Sequence, residues 1–313
     1  MPAPLPTSAK VAETDSSCSS RATQKLIGRA VALLAEWAEM VKVEHTVFAL
    51  PFAMSGLVLS SKSLPSWAVV FWTTAAFAGA RAAAMTLNRL IDARIDADNP
   101  RTSNRSIPAG RVTRLQAVWF ACGSFALMVW AASQLPPICL QLSPIAIFWL
   151  TFYSYTKRFT WLCHFGLGVA LGGAAIGGWL AASGSLFCPA PWLLAATVTT
   201  WVAGFDLIYA CQDIEFDRSS RLFSLPARFG VAPALRTSSA LHIVTVAALA
   251  ALGFTLGLGA IYWSGMTLVA VMLYWEHSLV SPTDLSRVNA AFFNINGWVS
   301  IAAFLSILLD RLL

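Results

Sequence analysis

The chain has 313 residues, of which 57% are hydrophobic and only 12% charged, with a formal net charge of +6. A mean hydropathy of +0.66 excludes a water-exposed globular domain, which needs far more polar surface. The basic excess does not mark a nucleic-acid partner, because the lysines and arginines sit in loops between apolar runs and are not interleaved with aromatics on a polar face.

From the N-terminus, Met1–Thr23 is rich in Pro, Ser, Thr and Ala and lacks the basic start and short apolar core of a signal peptide. Residues 1–24 are therefore read as a disordered tail, and 25–313 as a single transmembrane domain. Leu26–Val41 places Ile27, Ala30, Leu34, Trp37 and Val41 at helical spacing, with Arg29, Glu36 and Glu39 off that stripe, as in a helix lying along a membrane surface.

Apolar windows then recur at about 43–61, 67–87, 117–133, 140–155, 162–182, 192–212, 238–258, 261–275 and 290–309. Each is near the roughly 20 residues that cross a bilayer core. The expectation is an all-α polytopic membrane protein of nine transmembrane helices. Placing the N-terminus in the cytoplasm puts 18 of the 21 basic residues in cytoplasmic segments, which supports both the count and the orientation through the positive-inside rule. In the fifth window the pairs Gly168/Gly172 and Gly173/Gly177 have the small-residue spacing that lets helices approach closely in lipid. The six cysteines show no CxxC spacing, so neither a zinc site nor a disulfide framework is expected.

Two acidic stripes carry the chemistry. Asn88, Asp92 and Asp96 follow i, i+4, i+8 spacing at the end of the second window, on one helical face. Asp206, Tyr209, Asp213 and Asp217 form a matching stripe at the end of the sixth. Oxygen-only donors without histidine or thiolate favour Mg²⁺ over zinc, and Mg²⁺ readily bridges carboxylates to phosphate oxygens, which points to a diphosphate substrate. Arg101, Arg105 and Arg111 in the following loop, with Lys157 and Arg158 at the end of the fourth window, supply cations suited to phosphate. Positive-inside topology explains any one of these cations alone. It does not explain their gathering around paired acidic stripes. Glu44 and His45 are as consistent with interfacial anchoring as with the cavity mouth. His164, His242 and His277 stand alone in sequence and read as packing residues, and Asn294 and Asn296 as interhelical hydrogen-bonding groups.

The combination resembles the UbiA superfamily of intramembrane prenyltransferases from about Lys42 onward. Asn88, Asp92 and Asp96 meet its NxxxDxxxD motif, followed by the family-like Asn104-Arg105-Ser-Ile-Pro-Ala-Gly. Tyr209, Asp213 and Asp217 meet YxxxDxxxD, and Tyr153 with Lys157-Arg158 matches the end of the fourth span. Gly204–Asp213 and Lys42–Pro51 look most like the bacterial 4-hydroxybenzoate-type polyprenyltransferases, including the menaquinone branch of the futalosine route. The resemblance implies a nine-helix ring around a central cavity open sideways to the lipid bilayer. It further implies Mg²⁺-dependent transfer from a polyprenyl diphosphate to an aromatic acceptor in quinone biosynthesis, at the bacterial inner membrane. Asn88, Asp92, Asp96, Asp213 and Asp217 would hold the metal. Arg105, Lys157, Arg158, Arg101 and Tyr209 would hold the diphosphate, and a second-stripe carboxylate such as Asp213 would take a proton. The rival readings are an organic-ion transporter, or a family enzyme with a haem, chlorophyllide or glycerol phosphate acceptor.

Overall fold

A computed structural model describes residues 33, 35–42, 46–61 and 63–313. The expected tail, most of the 26–41 surface helix, and Glu44 and His45 lie outside the described residues. All regular structure described is helical: α1 (Thr46–Ser60), α2 (Trp67–Ile91), the short α3 (Ala93–Asp98), α4 (Arg114–Ser133), α5 (Pro137–Thr156), α6 (Cys163–Ser183), α7 (Pro189–Ala210), the short α8 (Ile214–Ser219) and α9 (Leu225–Phe229), α10 (Val231–Leu256), α11 (Ala260–Ser278) and α12 (Asn296–Leu312).

Local chemistry sets the helix ends. Ser66 caps α2 by accepting from Val69 N, and Thr113 with Gln116 forms a reciprocal capping box on α4. Proline occupies the first turn of α5 and of α7, where its missing N–H costs nothing. Gly184 and Gly257 stop α6 and α10 at φ of 64° and 61°, a left-handed conformation that side-chain-bearing residues rarely adopt.

Seven of the described helices are long and apolar enough to cross a membrane. Two of the nine expected spans fall short by that measure. The described part of α1 has 15 residues, and α11 finishes in Glu276 and His277, which lowers its hydropathy. The exterior is apolar: Trp67 is 86% exposed, Phe254 77% and Ile243 70%. Aromatic and aliphatic surface on this scale is suited to lipid, and the protein is an integral membrane protein.

The helices pack in a closed circuit, α2 on α4 and α5, then α5 to α6, α6 to α7, α7 to α10, α10 to α11 and α11 to α12, with α12 returning to α1. α1 also lies along α6. That approach depends on glycine: a Cβ on Gly178 would collide with the carbonyl oxygen of Ala53, and one on Gly168 with that of Thr199 in α7. Gly172 likewise packs against Thr199 and Ala195. The expectation of close packing at Gly173 and Gly177 does not hold, since both face open space; they lie on the side of α6 turned away from α7.

The core centres on Trp201, Leu194, Val198 and Leu252, all fully buried. A polar network crosses it. Trp201 Nε1 donates to Asn296 Oδ1 at 2.7 Å, and Asn296 Nδ2 donates to the fully buried Glu276 at 2.6 Å and to the carbonyl of Ala291 at 3.2 Å. The last bond braces the π-helical turn Ala290–Ile295. Asn296 thus links helices as expected. His242 and His277 do not stand alone: their rings are hydrogen-bonded at 3.0 Å, and His242 lies 3.5 Å from Glu276.

Candidate active site

A cavity of about 590 Å³ opens at the charged end of the bundle, where α2, α5 and α7 finish and α6 begins. Asn88 lies on the last turn of α2. The helix breaks at Asp92, whose φ and ψ are −90° and 3°, and resumes as α3. The i→i−4 pattern survives the break, with Asp92 N bonded to Asn88 O at 3.0 Å and Asp96 N to Asp92 O at 2.8 Å. The three residues therefore stay stacked as their spacing required. The second stripe is built alike: α7 ends at Ala210, a 3₁₀ turn carries Asp213, and α8 carries Asp217.

Each acidic stripe is met by basic side chains from another part of the chain. Lys157 Nζ lies 2.6 Å from Asp92 Oδ2, and Arg158 lies 3.4 Å from Asp92 Oδ1 while donating to the carbonyl of Ile91. Arg105 reaches Asp96 at 2.7 Å. Arg101 forks onto both oxygens of Asp213, and its Nη1 donates to the Tyr209 hydroxyl at 2.9 Å, so a first-loop arginine closes on the second stripe. Asp217 accepts from Ser224 at 2.7 Å. Lys157, Arg101, Arg105, Tyr209, Asp213 and Asp217 line the cavity with Asn88. Asp92, Asp96 and Arg158 sit behind that lining, the two carboxylates being 1% and 4% exposed.

The loop carrying Arg101 and Arg105 is latched from outside. Glu36 accepts from Ser106 at 2.8 Å and from Arg111. The Arg111 hydrogen bond, then that of Ser106, holds the Glu36 carboxyl below the usual carboxylate range. Trp37 stacks on Phe120 with ring centroids 4.3 Å apart, so this stretch of the expected surface helix packs across α4.

A profile of the UbiA prenyltransferase family matches residues 49–298. The chain belongs to the UbiA prenyltransferase family. It is 30% identical over 258 residues to a 4-hydroxybenzoate octaprenyltransferase of Vibrio cholerae serotype O1, covering 81% of this chain and 88% of that one. It is similar to the apo structure of a UbiA homologue from Aeropyrum pernix K1, with 37% identity and a TM-score of 0.79 over 85% of this chain and 98% of that one. A UbiA homologue from Archaeoglobus fulgidus, solved with DMAPP and Mg²⁺, shares the fold at 17% identity and a TM-score of 0.71, over 89% and 99% of the two chains. The protein is a membrane-embedded prenyltransferase.

Several residues of this UbiA enzyme fit a hard divalent cation. The stripes offer oxygen donors only, and Asp96 Oδ2 is buried with no hydrogen-bond partner, as expected of an atom reserved for another ligand. Among the described residues no three or more His, Cys, Asp or Glu are already arranged around one point.

The same cavity has a deeper layer, in which Asp206, already placed on the second stripe by its spacing, is joined by Arg81, to which the sequence had assigned no role. Arg81 lies seven residues before Asn88, and Asp206 seven before Asp213, so each sits two helical turns, roughly 10 Å, further in on its stripe's face. His164, read as a lone packing residue, is bonded to Asp206 at 2.7 Å. For Arg81 the i−7 position was the available signal. The partnership with His164, 42 residues away, was not visible in the periodicity.

Proposed function

We propose that the protein transfers a polyprenyl group from polyprenyl diphosphate to an aromatic acid in quinone biosynthesis, in a Mg²⁺-dependent reaction. The acceptor is 4-hydroxybenzoate or a comparable aromatic acid of the menaquinone route. The observation that carries this reading is one cavity lined by Asn88, Asp213 and Asp217 together with Arg101, Arg105 and Lys157, the last two held by Asp96 and Asp92 directly behind the wall. On this reading the enzyme works in a bacterial inner membrane with nine spans, and the N-terminus and the loops around the stripes face the cytoplasm.

Asn88, Asp92, Asp96, Asp213 and Asp217 would hold Mg²⁺, which neutralises charge on the diphosphate when bound. Lys157, Arg105 and Arg101 turn from their carboxylate partners to the diphosphate oxygens, while Arg158 braces the end of α2 and Tyr209 steers Arg101. Negative charge grows on the leaving diphosphate as the allylic C–O bond breaks, so these cations act more strongly on the transition state than on the bound substrate. Apolar helices keep water from the allylic cation. Phe292, tilted against Tyr209 with centroids 4.2 Å apart, gives the cavity an aromatic wall.

Arg81 supports an anionic acceptor. It lines the cavity at depth, its Nε is buried without a hydrogen-bond partner, and among the described residues no carboxylate pairs with it. A guanidinium in that position is matched by the carboxylate of an aromatic acid.

Metal dependence is open to a binding test. Purified protein in nanodiscs is expected to bind a non-hydrolysable prenyl thiodiphosphate with Mg²⁺ present, raising the apparent Tm by mass action. EDTA should abolish the shift and excess MgCl₂ restore it. Equal binding with and without EDTA would remove the metal from the account.

A further inference from the structure

We infer that Asp206, oriented by His164, is the base that takes the proton from the aromatic acceptor, a deepening that rests on the proposed prenyl transfer. The other carboxylates of the two stripes are engaged: behind the lining, Asp92 by Lys157 and Arg158 and Asp96 by Arg105, and on the cavity wall, Asp213 by Arg101 and Asp217 by Ser224. Asp206 lies two turns deeper, at the same offset from its stripe as Arg81 has from the other. An acid anchored by its carboxylate on Arg81 therefore lies in the layer that Asp206 faces.

The hydrogen bonds fix how His164 serves. Leu225 N donates to His164 Nε2 at 3.4 Å, so Nε2 carries the lone pair and Nδ1 the proton. Nδ1–H donates to Asp206 Oδ2 at 2.7 Å. The histidine itself is only 4% exposed and makes contacts on both sides, whereas Asp206 keeps 24% of its side chain open and lines the cavity. Its Oδ1 accepts no hydrogen bond from the described residues. Ser224, bonded to Asp217, and Leu225, bonded to His164, are neighbours in sequence, so one short turn ties the diphosphate stripe to the deeper pair.

The ring carbon uses a π pair to form the C–C bond to the allylic carbon, and the C–O pair leaves with the diphosphate. The ring C–H pair then restores aromaticity while its proton passes to Asp206 Oδ1, and from there to water at the cavity mouth. Asp206 is the catalytic residue and His164 a positioning residue.

The experiment compares wild type with D206N, H164A and H164N in nanodiscs, using ring-deuterated and ordinary 4-hydroxybenzoate, with binding of a prenyl thiodiphosphate as the control. For D206N we expect kcat to fall roughly 100-fold or more, the scale of a lost general base. A deuterium isotope effect absent from wild type should appear, and thiodiphosphate affinity should stay within about threefold. H164A should lower kcat roughly 10-fold, a cost of misplacing the base, and H164N, whose amide can still donate to Asp206, should recover most of it. Transfer by D206N within threefold of wild type, or loss of thiodiphosphate binding in parallel with transfer, would overturn the assignment. A wild-type protein that binds the thiodiphosphate but prenylates no aromatic acid would overturn the functional reading, and this inference with it.

Discussion

Replacing Asp92 by alanine is expected to lower prenyl transfer at least 100-fold without changing the elution profile of the purified protein. Asp92 is 1% exposed, yet both its oxygens are engaged by cations, Lys157 of the cavity lining at 2.6 Å and Arg158 behind it at 3.4 Å. Removing a single preorganised group that stabilises developing charge typically costs 10²–10³ in rate, about 2.7–4 kcal/mol. The two cations keep 30% and 40% of their side chains exposed, so solvent can take over from the lost carboxylate and the fold should persist. Asp92→Asn separates charge from shape. The amide still fills the site beside Asn88 and still accepts one hydrogen bond, but it offers neither the negative charge nor a second strong oxygen donor. Activity in the asparagine variant should therefore fall about as far as in alanine. Undiminished turnover in Asp92→Ala, measured with radiolabelled prenyl diphosphate, would remove Asp92 from the site.

Arg81→Met is expected to raise KM for the aromatic acid by roughly 10- to 100-fold, because a hydrogen bond to a charged group contributes about 1.5–3 kcal/mol. KM for the prenyl diphosphate should move little, since the residues assigned to it lie two turns away. Methionine keeps the length and apolar stem of the side chain, so the packing along α2 survives. The sharper readout is selectivity. Wild type should favour 4-hydroxybenzoate over the corresponding phenol lacking a carboxylate, and the variant should lose most of that preference; a preference unchanged by the substitution would place the acceptor's carboxylate elsewhere. Arg81→Lys should recover part of the effect, since a lysine ammonium keeps the charge but not the planar fork.

Much of this was legible in sequence because the bilayer imposes a strict pattern. Long apolar windows separated by basic loops gave the helical positions, and the i, i+4 spacing gave two stripes, of which Asn88, Asp213 and Asp217 line one cavity while Asp92 and Asp96 lie behind its wall. Boundaries were less legible. The second window was expected to end near 87, but the polar pair Asn88–Arg89 continues the backbone pattern and α2 runs to Ile91. Low apolarity at the end of α11 reflects Glu276, a buried carboxylate whose reason for being there is Asn296, twenty residues on. Glycine spacing alone did not say which face of α6 meets a neighbour, so Gly168 and Gly172 were read rightly and Gly173 and Gly177 were not. Pairings between distant positions escaped for the same reason: Arg101 on Asp213 and His164 on Asp206 depend on how the ring closes, which no local periodicity records.

Prenyl transfer to an aromatic acid is followed by incubating purified protein in nanodiscs with labelled polyprenyl diphosphate, Mg²⁺ and a panel of aromatic acids, and identifying the products by mass spectrometry. The expected result is a C-prenylated aromatic acid formed with release of diphosphate, in the presence of Mg²⁺ and not of EDTA. Recovery of intact prenyl diphosphate with every aromatic acid, or prenylation only of a non-aromatic acceptor, would rule out an aromatic-acid prenyltransferase.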